Sequence, residues 1–242
     1  MPAPAERPRL TASVTDFVLG RVAARMLRPG DALPSEAELA RQLSVSKPVV
    51  REAMGRLVAL GLVSVQQGKP TTIQPLSSGP FQELLRMAVR THDNGLREAV
   101  ELRRGVETEV AALAAERRSE AQAAALFACT ATMRANPKPE EPWLRADFEF
   151  HLTLAQASGN RLLALLVDAL SDVMRYTMRL MGKQMDLRDP MATLARHIVI
   201  AEAVRDRDAE AARRAMRIHF DATDSVVKAI GADPERLARL ED

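Results

Sequence analysis

The sequence predicts a mainly α-helical protein in two parts: three helices with a two-stranded hairpin, then an all-helical antiparallel bundle. Three observations lead there. Only eight of the 242 residues are aromatic, and β-branched residues are sparse beside Ala, Leu, Arg and Glu, a balance that favours helices over a sandwich or barrel. Apolar residues recur at helical spacing along nearly the whole chain and alternate only between Leu62 and Gln74. Charge also divides the chain. Residues 1–75 hold ten Lys/Arg against six Asp/Glu, and the remainder 24 against 26. A basic amino-terminal third on a slightly acidic remainder points to a polyanionic partner for the first part alone.

Val14, Phe17, Val18, Val22 and Met26 set the inner stripe of a first helix, stopped by Pro29-Gly30. Ser35-Glu36-Ala37-Glu38 reads as a capping box, with the Glu38 carboxylate returning to Ser35, and opens a short helix through Leu43. Ser46 is placed to cap a third helix that tolerates Pro48 in its first turn. Val50, Ala53, Met54 and Leu57 form its inner face, and Gly61 ends it. Leu62–Val65 and Thr71–Gln74 then read as two short strands around the turn Gln67-Gly68-Lys69. The domain limits expected are 11–75 for this unit, a linker at 76–80, a helical domain over 81–230 and a tail at 231–242. Helices are expected near 81–92, 96–117, 119–134, 142–157, 160–182, 189–205 and 208–229, with short connections that make neighbours antiparallel. The 160–182 segment is apolar on most sides and reads as the central helix. Its polar stripe of Arg161, Asp168, Asp172, Arg175 and Arg179 would face either water, with Asp172–Arg175 paired, or an internal cavity.

Several classes are excluded. A single cysteine, Cys129, leaves no internal disulfide and no cysteine zinc finger, and suits a reducing compartment. The longest charge-free runs are 13 residues, short of the roughly 18–20 that a spanning helix needs. The proline-rich start has no apolar core of a signal peptide and reads as a flexible arm. The expectation is a cytoplasmic chain without membrane contact.

Two short helices joined by a tight turn, followed by a hairpin, fit a winged helix-turn-helix. Lys47, Arg51 and Gly55 share the face opposite the apolar stripe, and an arginine there can bond guanine O6 and N7 together. The hairpin tip would be the wing, with Gly68 permitting close backbone approach and Lys69 reaching phosphate. The same residues also fit an ordinary surface helix and loop. The run Pro29-Gly30-Asp31 to Leu39-Ala40, then Val45-Ser46-Lys47-Pro48-Val49-Val50-Arg51-Glu52-Ala53 and Leu57 to Val63, resembles the winged-helix domain of GntR-family transcription regulators. The resemblance implies double-stranded operator DNA as partner and Ser46, Lys47, Arg51, Gln67, Gly68 and Lys69 as contacts. The family usually has arginine where this chain has Ala37 and Lys47, and a lysine cannot make the same two-pronged contact.

The second part carries its own constellation. Asp147 and His151 stand at i and i+4 on one helix face. His197 and His219 lie about ten and eleven residues on either side of the corner at Arg205–Asp208. Antiparallel packing at about 1.5 Å per residue would bring them to one height. Three imidazoles and a carboxylate suit one divalent ion, zinc first, with nickel or manganese as alternatives; hydrogen-bonded core histidines are the competing reading. Asp147-x-x-x-His151, Ser158-Gly159-Asn160, His197 and His219, with Glu101-Leu-Arg103-Arg104-Gly-Val-Glu107 before them, resemble the FCD ligand-sensing domain of the FadR-type branch of that family. The resemblance implies Asp147, His151, His197 and His219 as ligands and a small carboxylate effector beside the ion. It points to Arg103 and Asn160 as effector contacts, and to a homodimer acting on a palindromic operator, a repressor in type; if the polar stripe of 160–182 lines a cavity, Arg175 is the effector contact there. A metal sensor with the ion as its only effector is the alternative. A helical-bundle metalloenzyme is disfavoured, since no glutamate stands three before any histidine and Glu149 points off the Asp147–His151 face.

Overall fold

The structure is a computed structural model that describes residues 7–138, 140–171, 173–175 and 189–231. The chain divides between Pro80 and Phe81 into two compact units. The first holds α1 (Arg7–Ala23), α2 (Glu36–Gln42), α3 (Lys47–Ala59), β1 (Val63–Ser64) and β2 (Thr72–Ile73). Val14, Val18, Leu39, Val49, Val50, Ala53, Leu57, Val63 and Ile73 close on one core. The strands pair antiparallel with Val63 opposite Ile73. They are shorter than the alternation suggested, and the chain at Ala32 adds a bridge to Thr72.

Several local expectations are corrected. Helix α1 stops well before Pro29, because Arg25 takes a left-handed conformation (φ 57°) and Met26 N–H bonds back to Arg21 O. Met26 is therefore outside the stripe and exposed. Ser44 ends α2 the same way, with φ 55° and Val45 N–H bonded to Ala40 O. The capping box at Ser35 is only half made. Its hydroxyl accepts from Glu38 N–H at 3.2 Å, but the Glu38 carboxylate turns to Arg41 and Gln42. Ser46 occupies the N-cap of α3 without a side-chain capping bond. The last two residues assigned to the linker, Gly79 and Pro80, already belong to the next helix. Residues 1–6 of the proline-rich arm and the tail from residue 232 lie outside the described residues.

The second unit comprises α4 (Gly79–Thr91, from its third residue), α5 (Gly95–Arg117), α6 (Glu120–Ala135), α7 (Glu141–Ala157), α8 (Arg161–Ala169), α9 (Pro190–Arg205) and α10 (Ala209–Gly231). The segment read as one central helix breaks at Leu170, which caps α8, and α8 keeps most of its apolar side chains only half-buried. Asp172, Arg179 and residues 176–182 lie outside the described residues. Among the described residues, α5 packs against α7, α8, α9 and α10. Its run Val110, Ala111, Ala112, Ala114 and Ala115 is buried, and small side chains let four neighbours approach one helix. Trp143, Phe150, Phe220, Leu126 and Met133 fill the remaining space.

Arginines tie the helix ends together at one end of this bundle. Arg118, just past α5, donates from Nε to Val204 O at 3.3 Å and from Nη2 to Arg205 O, so it caps the end of α9. Arg207, just past α9, returns the contact, donating to Glu116 O and Arg118 O at 3.1 Å each. Arg117 donates to Ser158 O at the end of α7 at 3.0 Å. Each guanidinium meets the negative end of a helix dipole, where a cation is favoured.

Candidate DNA interface and candidate metal centre

In the first unit the apolar side of α3 is buried while Lys47, Arg51 and Gly55 are exposed together on the other. A Cβ at Gly55 would meet nothing within 4 Å, so this part of the helix is open to close approach. Arg51 is not loose. Its Nε and Nη2 donate to one carboxylate oxygen of Glu36 at 3.3 and 3.2 Å, which holds the guanidinium beside the start of α2. The sequence reading gave Glu36 no role. Ser46, free of capping duty through its side chain, is exposed at the N-terminus of α3. Such a terminus offers N–H groups to phosphate. Gln67, Gly68 and Lys69 form the exposed tip of the hairpin, and Gly68 has φ 74°, a conformation that favours glycine there. All six residues expected at a DNA surface are thus exposed on one unit.

In the second unit the three histidines meet. One ring nitrogen from each of His151, His197 and His219 lies within 4.8 Å of the others, and all three are buried. Ring centroids of His197 and His219 are 4.6 Å apart, as the count from the corner at Arg205–Asp208 anticipates. Asp147, fully buried one turn before His151, places Oδ1 2.9 Å from His197 Nε2.

The outer partners orient the Nδ1 side of two of the rings. His197 Nδ1 faces Thr193 O at 2.9 Å, and a carbonyl only accepts, so Nδ1 carries the proton. His151 Nδ1 faces Glu107 Oε2, and a carboxylate likewise accepts. In the neutral His151 ring the lone pair is then on Nε2. His151 Nε2 makes no hydrogen bond, and the inward nitrogen of His197 meets the Asp147 carboxylate. This donor set fits a divalent ion with nitrogen and oxygen ligands.

Behind this cluster, Arg103 and Glu107 are almost wholly buried, with Arg103 Nε donating to Glu107 Oε1 at 2.7 Å. Burial alone would push the Glu107 carboxyl up. The Arg103 charge, with the hydrogen bonds from Arg103 and His151, reverses this and holds it below the usual carboxylate range. The sequence reading put Arg103 at the edge of an apolar stripe; it is instead inside the core, stacked 5.0 Å from the centre of the Phe220 ring. Its Nη2 is buried and makes no hydrogen bond. Arg175 lies elsewhere, over Phe148 at 5.2 Å, lining a cleft of about 330 Å³ with Glu141, Leu144, Arg145 and Glu149. Asn160 is the N-cap of α8, its side-chain oxygen accepting from Leu162 and Leu163 N–H. That structural task accounts for its place after the Ser158-Gly159 turn.

Among the described residues no helix is long and apolar enough to cross a membrane. Residues 10–73 match the family described as bacterial regulatory proteins, gntR family, and residues 98–222 match the FCD domain. The chain is 37% identical over 153 residues to the HTH-type transcriptional regulator LutR of Bacillus subtilis, covering 63% of this chain and 70% of that one. It is 27% identical over 237 residues to the HTH-type transcriptional repressor NanR of Salmonella typhimurium, covering 97% and 90%. Among solved structures, a Streptococcus agalactiae GntR protein superposes with a TM-score of 0.71 at 26% identity, over 88% of this chain and 98% of that one. A helix-turn-helix unit with its exposed cationic face, joined to a helical ligand-binding unit and shared with these regulators, makes this chain a DNA-binding transcription regulator and not an enzyme: it belongs to the gntR family of bacterial regulatory proteins and carries an FCD domain.

Proposed function

We propose that the chain is a cytoplasmic, metal-dependent repressor that binds a palindromic operator as a homodimer and responds to a small carboxylate. The observation that carries this reading is the buried group of three histidines, with Asp147 against His197 and His151 Nε2 turned inward without a hydrogen bond. Asp147, His151, His197 and His219 would hold the ion, zinc first, with nickel or manganese fitting the same donors. Such an ion supplies coordination positions that carboxylate oxygens complete.

The charges support an anionic effector. Arg103, Glu107 and Asp147, with neutral imidazoles, sum to −1 in the core. A divalent ion brings the group to +1, and one monocarboxylate returns it to zero, the state that burial favours. Arg103 Nη2, a buried donor without a hydrogen bond, is suited to receive that carboxylate. Arg175 belongs to the separate cleft and Asn160 to its cap, so Arg103 is the arginine of this reading. Effector binding changes operator affinity by its differential affinity for the two arrangements of the protein. Dimerisation follows from reading two half-sites.

The complete burial of the histidines also suits a second reading, in which the ion alone is the effector. One experiment separates the two. Operator fragments selected from genomic DNA are titrated with chelator-stripped chain, with zinc, and with zinc plus a panel of small hydroxy, sugar and amino acids. Release by one carboxylate only in the presence of metal supports the proposal. A response to zinc alone supports the sensor. Operator binding that answers to neither overturns both.

A further inference from the structure

We propose that Glu107 is a positioning residue of the metal centre, one that fixes the tautomer and direction of His151 and ties Arg103 to the same group. The inference rests on the metal-centred reading above and adds to it a residue outside the ligand set. Glu107 lies one turn beyond Arg103 on α5, and His151 comes from α7, so the carboxylate joins two helices. One oxygen takes the His151 Nδ1 proton and the other takes Arg103 Nε–H at 2.7 Å. All three side chains are no more than 2% exposed. Both carboxylate oxygens are therefore committed, and neither can rotate away without leaving a buried donor unmet.

The consequence for His151 is chemical. An imidazole left to itself favours its proton on Nε2, the nitrogen that must ligate. Glu107 draws the proton to Nδ1, so Nε2 presents a lone pair to the cluster, and a carboxylate partner also raises the basicity of that nitrogen. Thr193 O does the same for His197, but with a neutral carbonyl. Glu107 performs this task for His151 as a carboxylate, and it also orients the proposed effector arginine. A change at His151 is thereby felt at Arg103 through one rigid side chain.

The simpler alternative is that Glu107 only neutralises Arg103. Two substitutions distinguish them. Glu107→Gln keeps size and one acceptor but loses the charge. The double variant Arg103→Met with Glu107→Met removes the buried pair together, an exchange for apolar side chains that proteins often tolerate. Zinc and nickel affinities are measured by calorimetry on chelator-stripped full-length chain, with Trp143 emission as the check on folding. Expected are affinities roughly 10–100-fold weaker in Glu107→Gln, and still weak in the double variant. Long-range ¹H–¹⁵N spectra of histidine-labelled, metal-free chain should show His151 protonated on Nδ1, and that state should be lost in Glu107→Gln. Metal affinity like that of the unsubstituted chain in the double variant would leave only charge neutralisation and overturn the inference. Failure of the unsubstituted chain to bind either ion would overturn the metal-centred reading together with this one.

Discussion

Replacing Arg118 by Met tests whether the arginine ties at the helix ends hold the histidine helices in register. Arg118 is 6% exposed and serves the ends of two elements at once, donating to Val204 O and Arg205 O of α9 and to Glu120 of α6. The Glu120 side chain is 83% exposed, so that ion pair contributes less than about 1 kcal/mol. Val204 O retains a second donor, Arg207 N–H at 3.2 Å, and is not left bare by the substitution. Loss of the charged bond to Arg205 O, a partly replaced bond to Val204 O and the favourable meeting with the helix dipole together amount to about 2–3 kcal/mol. For a unit of this size that lowers Tm by roughly 5–10 °C. Trp143 is the only tryptophan and is buried in the second unit, so its emission during urea unfolding follows that unit and not the DNA-binding one. Glu120→Gln, which removes only the exposed pair, should shift the midpoint by less than a third as much. Equal effects of the two substitutions, or an Arg118→Met chain within about 0.5 kcal/mol of the original, the range of ordinary surface changes, would refute the capping account.

Further outcomes concern the DNA surface and the lone thiol. Arg51→Ala should cost about 1–3 kcal/mol of discrimination between operator and scrambled duplex, the value of one two-pronged base contact, read by fluorescence anisotropy at fixed salt. Glu36→Gln should raise affinity for scrambled duplex, since an acid is removed, yet lower the operator-to-scrambled ratio because Arg51 loses its 3.2 Å anchor. An unchanged ratio would make Glu36 an ordinary surface acid. Lys69→Ala should weaken both duplexes alike and reduce the salt slope by about 0.9; a selective loss on operator would place the wing tip on bases instead. Burial, with the nearby Glu149 and Asp147 charges, pushes the Cys129 thiol up to about 11. Since the thiolate is the reactive form, iodoacetamide should label the folded chain slowly near neutral pH and faster as pH rises. Labelling at the rate of a free peptide thiol would contradict that burial.

The helices of both units were legible because their apolar periodicity is long and their breaks carry proline, glycine or asparagine. What could not be read was the end of α1: Arg25 adopts a left-handed φ of 57°, and nothing in an arginine side chain announces this. The cost of such a conformation is met by tertiary bonds, as when Arg207, also left-handed, reaches the end of α5. The crowding around α5 was not read either: it carries alanines, and closeness of packing is decided by side-chain size as much as by hydropathy.

The site shows the same division between what spacing carries and what only packing reveals. Asp147 and His151 one turn apart, and His197 and His219 equidistant from a corner, are geometric statements that a helical reading converts directly into proximity. The structure brings the three rings to centroid distances of 4.6–5.4 Å. Glu107 belongs to the Glu101–Glu107 motif, but its spacing assigns it no task, because its partner His151 is 44 residues away on another helix. One local signal did exist. Arg103 and Glu107 stand at i and i+4 facing inward between Ala99 and Val110, and an ion pair placed on the buried side of a helix must have a third partner to be tolerated. That partner is the imidazole. A buried charged pair at helical spacing, with a histidine unaccounted for elsewhere in the chain, is therefore a sequence-level reason to look for a carboxylate–histidine contact before any coordinates exist.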